Sequence, residues 1–211
     1  IVSILAFWYS SQKACVRWHH TTTSFFTIGN GTRQGGILSP SLFNRYVKDV
    51  LVKLRNNPHG CNVAGILINV LAYADDFVLC APTWKGLQCL INVLASGIAE
   101  INMTCNVSKT VCMIFKPKYR TKRINTSFPK LQFNRGILAL VNNFKYLGHI
   151  IADDLRDDLD MQREIRNLFV RTNILKCKFF KCSVDLKCHF LKLTASVYMV
   201  VRFGSLITIA R

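Results

Sequence analysis

Val70-Leu71-Ala72-Tyr73-Ala74-Asp75-Asp76-Phe77-Val78-Leu79-Cys80 sets two adjacent carboxylates between two short apolar runs rich in strand-forming residues. Along a regular strand neighbouring side chains point to opposite faces, so both carboxylates approach one point only where the chain turns, and Asp is a turn residue. The stretch predicts a hairpin with an acidic tip. Two carboxylates held close repel each other unless a cation sits between them, and hard divalent ions such as Mg²⁺ take carboxylate and phosphate oxygens. Such a tip suits metal-assisted phosphoryl chemistry. Taken alone, the dipeptide could equally just turn a solvated hairpin.

Upstream, Gly29-Asn30-Gly31-Thr32-Arg33-Gln34-Gly35-Gly36 puts four glycines in eight residues, with Arg33 and Gln34 offering donors suited to phosphates and base edges. Ser39 is a good N-cap and Pro40 a good first helical residue. A helix then runs through Asn56 with Leu42, Phe43, Tyr46, Val47, Val50, Leu51 and Leu54 on one face, and Asn57-Pro58-His59-Gly60 stops it. Val63 to Ala72 and Phe77 to Ala81 are the arms of the acidic hairpin. Near the start, Val16-Arg17-Trp18 and Ser24 to Ile28 read as two strands around the polar run His19 to Thr23.

Downstream, Pro82-Thr83 opens a second amphipathic helix with the stripe Leu87, Leu90, Ile91, Leu94 and Ile98. Met103 to Phe115 reads as two strands joined by a polar turn carrying Lys109, a surface charge or a cation aimed at a phosphate. Lys116 to Arg123 has five cations in eight residues and fits a solvated linker touching phosphates. Lys130 to Phe133, Ile137 to Val141 and Phe144 to Ile151 are strand-like. Asp153 to Asp160 reads as the acidic, capping start of a basic helix from about Leu159 to Phe180, and a last helix is expected from the cap Ser183 to about Arg202.

At 211 residues with half of them hydrophobic, the chain buries a core and is not disordered. Its formal charge of +17 points to a polyanionic partner, nucleic acid first. Residues 1–115 hold nine Lys and Arg against four Asp and Glu, whereas residues 116–211 hold nineteen against seven, so phosphate contacts are expected mainly in the second part. The nine cysteines, odd in number and scattered in apolar runs, read as reduced core residues of an intracellular protein, without deciding between nucleus and cytoplasm. Cys177, Cys182, Cys188 and His189 match no zinc spacing, and no apolar run is long and uninterrupted enough to span a membrane.

Gly31 to Pro40 with Phe43-Asn44, then Tyr73-Ala74-Asp75-Asp76, then Asn106-Val107-Ser108-Lys109-Thr110, then Phe144-Lys145-Tyr146-Leu147-Gly148, occur in the order and rough spacing found in reverse transcriptases. Together they most resemble those of non-LTR (LINE-type) retrotransposons, over about residues 10 to 200. Intron-encoded and bacterial enzymes match the wording around Ser39-Pro40 less well. The resemblance implies an α+β fold: a right-hand polymerase palm, an antiparallel sheet with helices on one face, over residues 1–151, and the start of a helical, basic thumb over 152–211. It implies RNA-directed DNA synthesis with Mg²⁺ (or Mn²⁺), an RNA template, a DNA primer and dNTP substrates. Asp75 and Asp76 would be the metal carboxylates, with Tyr73 beside the primer. Arg33, Gln34, Gly35 and Gly36 would border the template and incoming nucleotide, and Lys109 would lie near the triphosphate. Phe144, Lys145, Tyr146, Leu147 and Gly148 resemble the primer grip.

One departure stands out. The family's palm carries a further metal-binding Asp on a strand upstream of the glycine motif, whereas the first acidic residue here is Asp49, inside the helical pattern after it. The fingers region is also missing. This implies a truncated palm and thumb piece, inactive as an isolated chain; the alternative function is a non-catalytic, basic nucleic-acid-binding remnant.

Overall fold

A computed structural model describes residues 2–29, 31–32, 34–115, 128–190 and 192. The first apolar run forms helix α1 (Val2–Ser10), none of whose residues is buried. Strands β1 (Lys13–Ala14), β2 (Arg17–Trp18), β3 (Thr21–Thr22) and β4 (Phe26–Thr27) nest as one long hairpin, β2 on β3 within β1 on β4. The turn lies at His19-His20, as the polar run between the aromatic segments predicts.

Helix α2 (Ser39–Arg55) begins one residue earlier than its sequence suggests. Ser39 is its first residue rather than its cap: Leu38 occupies the cap position with helical backbone and no side-chain cap bond, because Ser39 N–H already donates to the Gly36 carbonyl and continues a turn. Strands β5 (Cys61–Val63), β6 (Ile66–Ile68), β7 (Val70–Tyr73) and β8 (Asp76–Leu79) follow. The arm expected as one strand from Val63 to Ala72 is therefore broken twice, by a turn at Ala64-Gly65 and by Asn69. Helix α3 (Trp84–Glu100) is capped by Thr83, whose hydroxyl accepts from Gly86 N–H at 3.1 Å.

Between Met103 and Phe115 only β9 (Val111–Cys112) is a strand; residues 103–106 are irregular. β10 (Gln132–Phe133), β11 (Gly136–Ile137), β12 (Ala139–Leu140), β13 (Asn143–Tyr146) and β14 (His149–Ala152) lead to helix α4 (Asp158–Lys178). Residues 184–190 are helical again. The basic linker from Lys116 to Arg123 and most of the last expected helix lie outside the described residues.

The expected single antiparallel sheet is seven two-stranded pairs among the described residues, six antiparallel and one, β9 with β12, parallel. The reason is local. Five of the antiparallel pairs close through two-residue loops whose first residue, His19, Ala64, Ala74, Asn134 or Leu147, has positive φ, so the chain reverses every few residues. The core joins Val50 and Leu54 of α2, Leu90, Ile91, Leu94 and Ile98 of α3, and Leu131, Phe133 and Leu138 of the β10–β11 region. The two helices approach closely because Gly97 lacks a side chain; a Cβ there would meet Val50 Cγ1 at 3.0 Å. Val70, Phe77 and Leu79 pack on this cluster, so α2 and α3 cover one face of the β7–β8 hairpin and leave the other open.

The nine cysteines are all free, and every one is half-buried or exposed rather than in the buried core, although Cys105 and Cys112 pack against it. Among the described residues, no helix is long and apolar enough to cross a membrane.

Candidate active site

The acidic pair occupies a two-residue hairpin. β7 and β8 pair in the register Val70↔Leu79, Leu71↔Val78, Ala72↔Phe77 and Tyr73↔Asp76. Since Phe77 and Leu79 face the core, the alternation of the pleat sends Asp76 and Val78 to the open face, with Tyr73 and Leu71 across from them. Asp75 is the second loop residue, after Ala74 at φ +52°. A Cβ in the left-handed region is strained by about 1–2 kcal/mol, tolerated where surrounding structure over-determines the turn.

That surround is visible at the hairpin's base. Asn69, between β6 and β7, is buried, and its Nδ2 donates to the carbonyls of Leu54 at 2.6 Å and Asn57 at 3.0 Å, both at the end of α2. The Leu54 carbonyl also accepts from Asn57 N–H at 3.0 Å, so the side-chain amide adds a further donor at a helix end. The backbone carbonyl of Asn69 accepts from Cys80 N–H at 2.9 Å. One residue thus ties the end of α2 to the strands carrying the acids.

Both carboxylates are exposed, and among the described residues neither makes a hydrogen bond or ion pair. Tyr146 of β13 lies close by. Its phenol is pushed above the ordinary value by burial first, then by the charge of Asp76 and by Cys80. Asp76 and Val78 alternate onto the side of β8 away from the core, and the charge of Asp76 reaches the Tyr146 phenol.

The segment Phe144 to Gly148, read from sequence as part of one strand, is a hairpin of its own. β13 pairs with β14 in the register Phe144↔Ile151, Lys145↔Ile150 and Tyr146↔His149, with Leu147 (φ +46°) and Gly148 (φ +87°) as the loop. Positive φ at both loop residues is the geometry of a type I′ turn, which Gly148 satisfies without strain. This hairpin is fixed to α4 by Asp160. Its Oδ1 accepts from Ile150 N–H at 2.8 Å, its Oδ2 lies 2.8 Å from His149 Nδ1, and Arg163 Nε donates to Oδ1 at 2.8 Å. Burial pushes the Asp160 carboxyl up, but the Ile150 amide, the His149 ring and the Arg163 guanidinium outweigh it and hold its pKa below the ordinary range. Asp160 therefore does not cap its helix, as the acidic run suggests; nor does Asp157, which stands at the cap position without a side-chain cap bond. Asp158 and Asp160 do lie in the first turn of α4, where the helix dipole favours negative charge.

The other predicted site residues lie apart. Arg33 is outside the described residues. Gln34 and Gly35 are exposed, and Gly35 takes φ +81° with open space where a Cβ would be, so its need for glycine is conformational rather than steric. Lys109 projects from a turn organised by Asn106, whose Oδ1 accepts from Ser108 Oγ at 2.7 Å and from Lys109 N–H at 3.2 Å. Among the described residues, no hydrogen bond or ion pair joins Lys109, Gln34, Gly35 or Gly36 to the carboxylates. Sequence reasoning missed Asn69, His149 and Arg163. The one available signal was the Asp160–Arg163 spacing of three on a helix.

The carboxylate pair suits a hard divalent ion, with up to four exposed oxygens and no protein donor competing for them. Among the described residues no group of three His, Cys, Asp or Glu side chains could hold a metal ion, so any ion here draws its remaining ligands from water or substrate.

Residues 2–151 match the family "Reverse transcriptase (RNA-dependent DNA polymerase)". Over 144 residues, 66% of this chain, it is 31% identical to the "Retrovirus-related Pol polyprotein from type-1 retrotransposable element R2" of Nasonia vitripennis, covering 14% of that protein. The "Retrovirus-related Pol polyprotein from type-2 retrotransposable element R2DM" of Drosophila melanogaster is 32% identical over 128 residues, 58% of this chain and 12% of its own length. A Pol polyprotein of the type-1 element R1 2, also from Nasonia vitripennis, is 28% identical over 131 residues, 59% of this chain and 30% of its own. The chain thus spans between 12% and 30% of the length of these relatives.

Proposed function

Because the chain belongs to the reverse transcriptase family, in its non-LTR (LINE-type) branch, we propose that the Asp75–Asp76 hairpin is the metal-binding end of a palm that copies RNA into DNA. The observation that carries this reading is the open face of the hairpin: Asp76 and Tyr73 paired across it, with two exposed, unengaged carboxylates at its tip.

In this reading residues 1–151 are palm and 152–211 the start of a thumb. Asp75 and Asp76 hold Mg²⁺ or Mn²⁺. When bound, the metal pair of such a site lowers the pKa of the primer 3′-hydroxyl and stabilises the leaving pyrophosphate. Tyr73 orients the primer terminus and the Phe144–Gly148 hairpin grips it. Arg33, Gln34, Gly35 and Gly36 border the template base and the dNTP, while Lys109 offers a cation or proton donor to the triphosphate. Arg166, Arg171, Lys176 and Lys178 on α4 follow the duplex phosphates.

Two carboxylates hold two divalent ions poorly, so residues 1–211 alone have negligible polymerase activity. Primer extension on poly(rA) with Mg²⁺ or Mn²⁺ tests this; robust dNTP incorporation by this chain overturns the inactivity. Manganese binding that is lost in Asp75→Asn supports the metal assignment, and binding unchanged in that variant refutes it.

The +17 charge favours a second reading, a non-catalytic nucleic-acid binder. It requires salt-sensitive binding that survives Asp75→Asn, and affinity that does not fall with rising salt excludes it.

A further inference from the structure

Along α3 runs an open groove of about 690 Å³, within the size range of ligand sites, and none of its lining residues belongs to the acidic hairpin. Trp84, Gln88 and Asn92 recur at i, i+4 and i+8 along its helical wall, whereas Leu90, Leu94 and Ile98 face the core, so the groove lies on a different face of α3 from the core stripe. Gln88 fixes the opposite wall. Its Nε2 donates to the Gln132 carbonyl at 2.8 Å and to Asn92 Oδ1 at 2.9 Å, and its Oε1 accepts from Gln132 N–H at 2.9 Å.

Gln88 is thereby occupied, but its neighbours are not. Among the described residues Asn92 Nδ2, the side-chain amides of Gln132 and Asn134, and the Lys130 ammonium have no protein partner. They line the groove together with the part-exposed indole of Trp84, and Lys85 Nζ lies 5.7 Å from that ring's centroid. No Asp or Glu lines it.

We infer that this groove is a second, single-stranded nucleic-acid subsite, separate from the proposed polymerase centre. One base stacks on Trp84, the free amides meet base edges, and Lys130 and Lys85 meet flanking phosphates. A flat aromatic surface, unengaged amides and cations without acids is the combination that binds unpaired nucleotides. A docking protein strand would gain little from a wall whose one fixed amide is already committed to Gln132.

The test makes Trp84 the sole indole of the full chain. Trp8→Phe and Trp18→Phe are suitable for this because those side chains are 53% and 73% exposed. Octamers of rU and of dT are then titrated while Trp84 emission is followed. Quenching is expected, with RNA and DNA arms showing which sugar is preferred. Lys130→Glu should raise Kd about tenfold by placing an acid against a phosphate. The quench and its Kd should be unchanged by Asp75→Asn with Asp76→Asn, which keeps failure of the polymerase reading distinct from failure of this one. No quench with either octamer, or a Kd indifferent to both Lys130→Glu and Lys85→Ala, overturns the subsite.

Discussion

The hairpins β7–β8 and β13–β14 are built alike, two four-residue strands closed by two residues, and they use their acids in opposite ways. On the first, Asp75 and Asp76 stand in solvent with no protein partner among the described residues. On the second, the nearby acid, Asp160, is largely enclosed and surrounded by an amide, an imidazole and a guanidinium. A carboxylate that holds the fold together is saturated with donors, and one kept for a ligand is left without them.

That contrast can be broken most sharply at Asp160. Asp160→Asn should lower stability by about 3 kcal/mol in urea, because Arg163 and the Ile150 amide lose a charged acceptor. The same contrast has a pH signature. With its folded pKa lowered, Asp160 contributes stability that is fully present above its ordinary value of 3.8 and is lost as pH falls through the lower folded value. The wild-type urea midpoint should therefore drop in that acid window, and Asp160→Asn should remove this part of the drop.

Asn69→Ala comes next, at about 2 kcal/mol, since the Asn57 carbonyl loses the side-chain amide and the Leu54 carbonyl keeps only backbone N–H donors. An unchanged midpoint would mean that water replaces the amide. Ala74→Gly should instead stabilise, by about 0.5 kcal/mol. Relief of about 1–2 kcal/mol of left-handed strain outweighs about 0.4–1 kcal/mol of added unfolded-chain entropy. Smallest of all, Asp75→Asn with Asp76→Asn should shift stability by no more than about 0.5 kcal/mol, as expected of acids with no structural task. In the single variant Asp76→Asn the Tyr146 phenol should titrate closer to its ordinary value of 10.0, burial keeping it somewhat above; phenolate absorbance reads this, and no shift would separate the two hairpins.

Helices and their buried stripes were legible because apolar spacing reports packing directly: Leu90, Ile91, Leu94 and Ile98 are all buried as their positions predict. The acidic hairpin was legible for a similar reason, since two adjacent carboxylates between apolar runs leave few other shapes. The neighbouring hairpins were not. Ala64 and Leu147 carry no turn chemistry of their own, and only the glycines after them, Gly65 and Gly148, hinted that two apparent strands fold back. The role of Asp160 was hidden differently. An acid near a helix start reads as a cap from spacing alone, and only tertiary structure reveals that Ile150 and His149 stand within reach.

Asn69 carries a consequence for motion. Because Asn69 holds the end of α2 with its side-chain amide and receives the Cys80 N–H on its own backbone carbonyl, fraying at the base of the acidic hairpin pulls on the residue that secures the helix end. The Cys80 amide should therefore exchange its hydrogen with solvent faster in Asn69→Ala than in the unaltered chain, which would show that the carboxylates stand on an anchored hairpin rather than on a free-swinging loop.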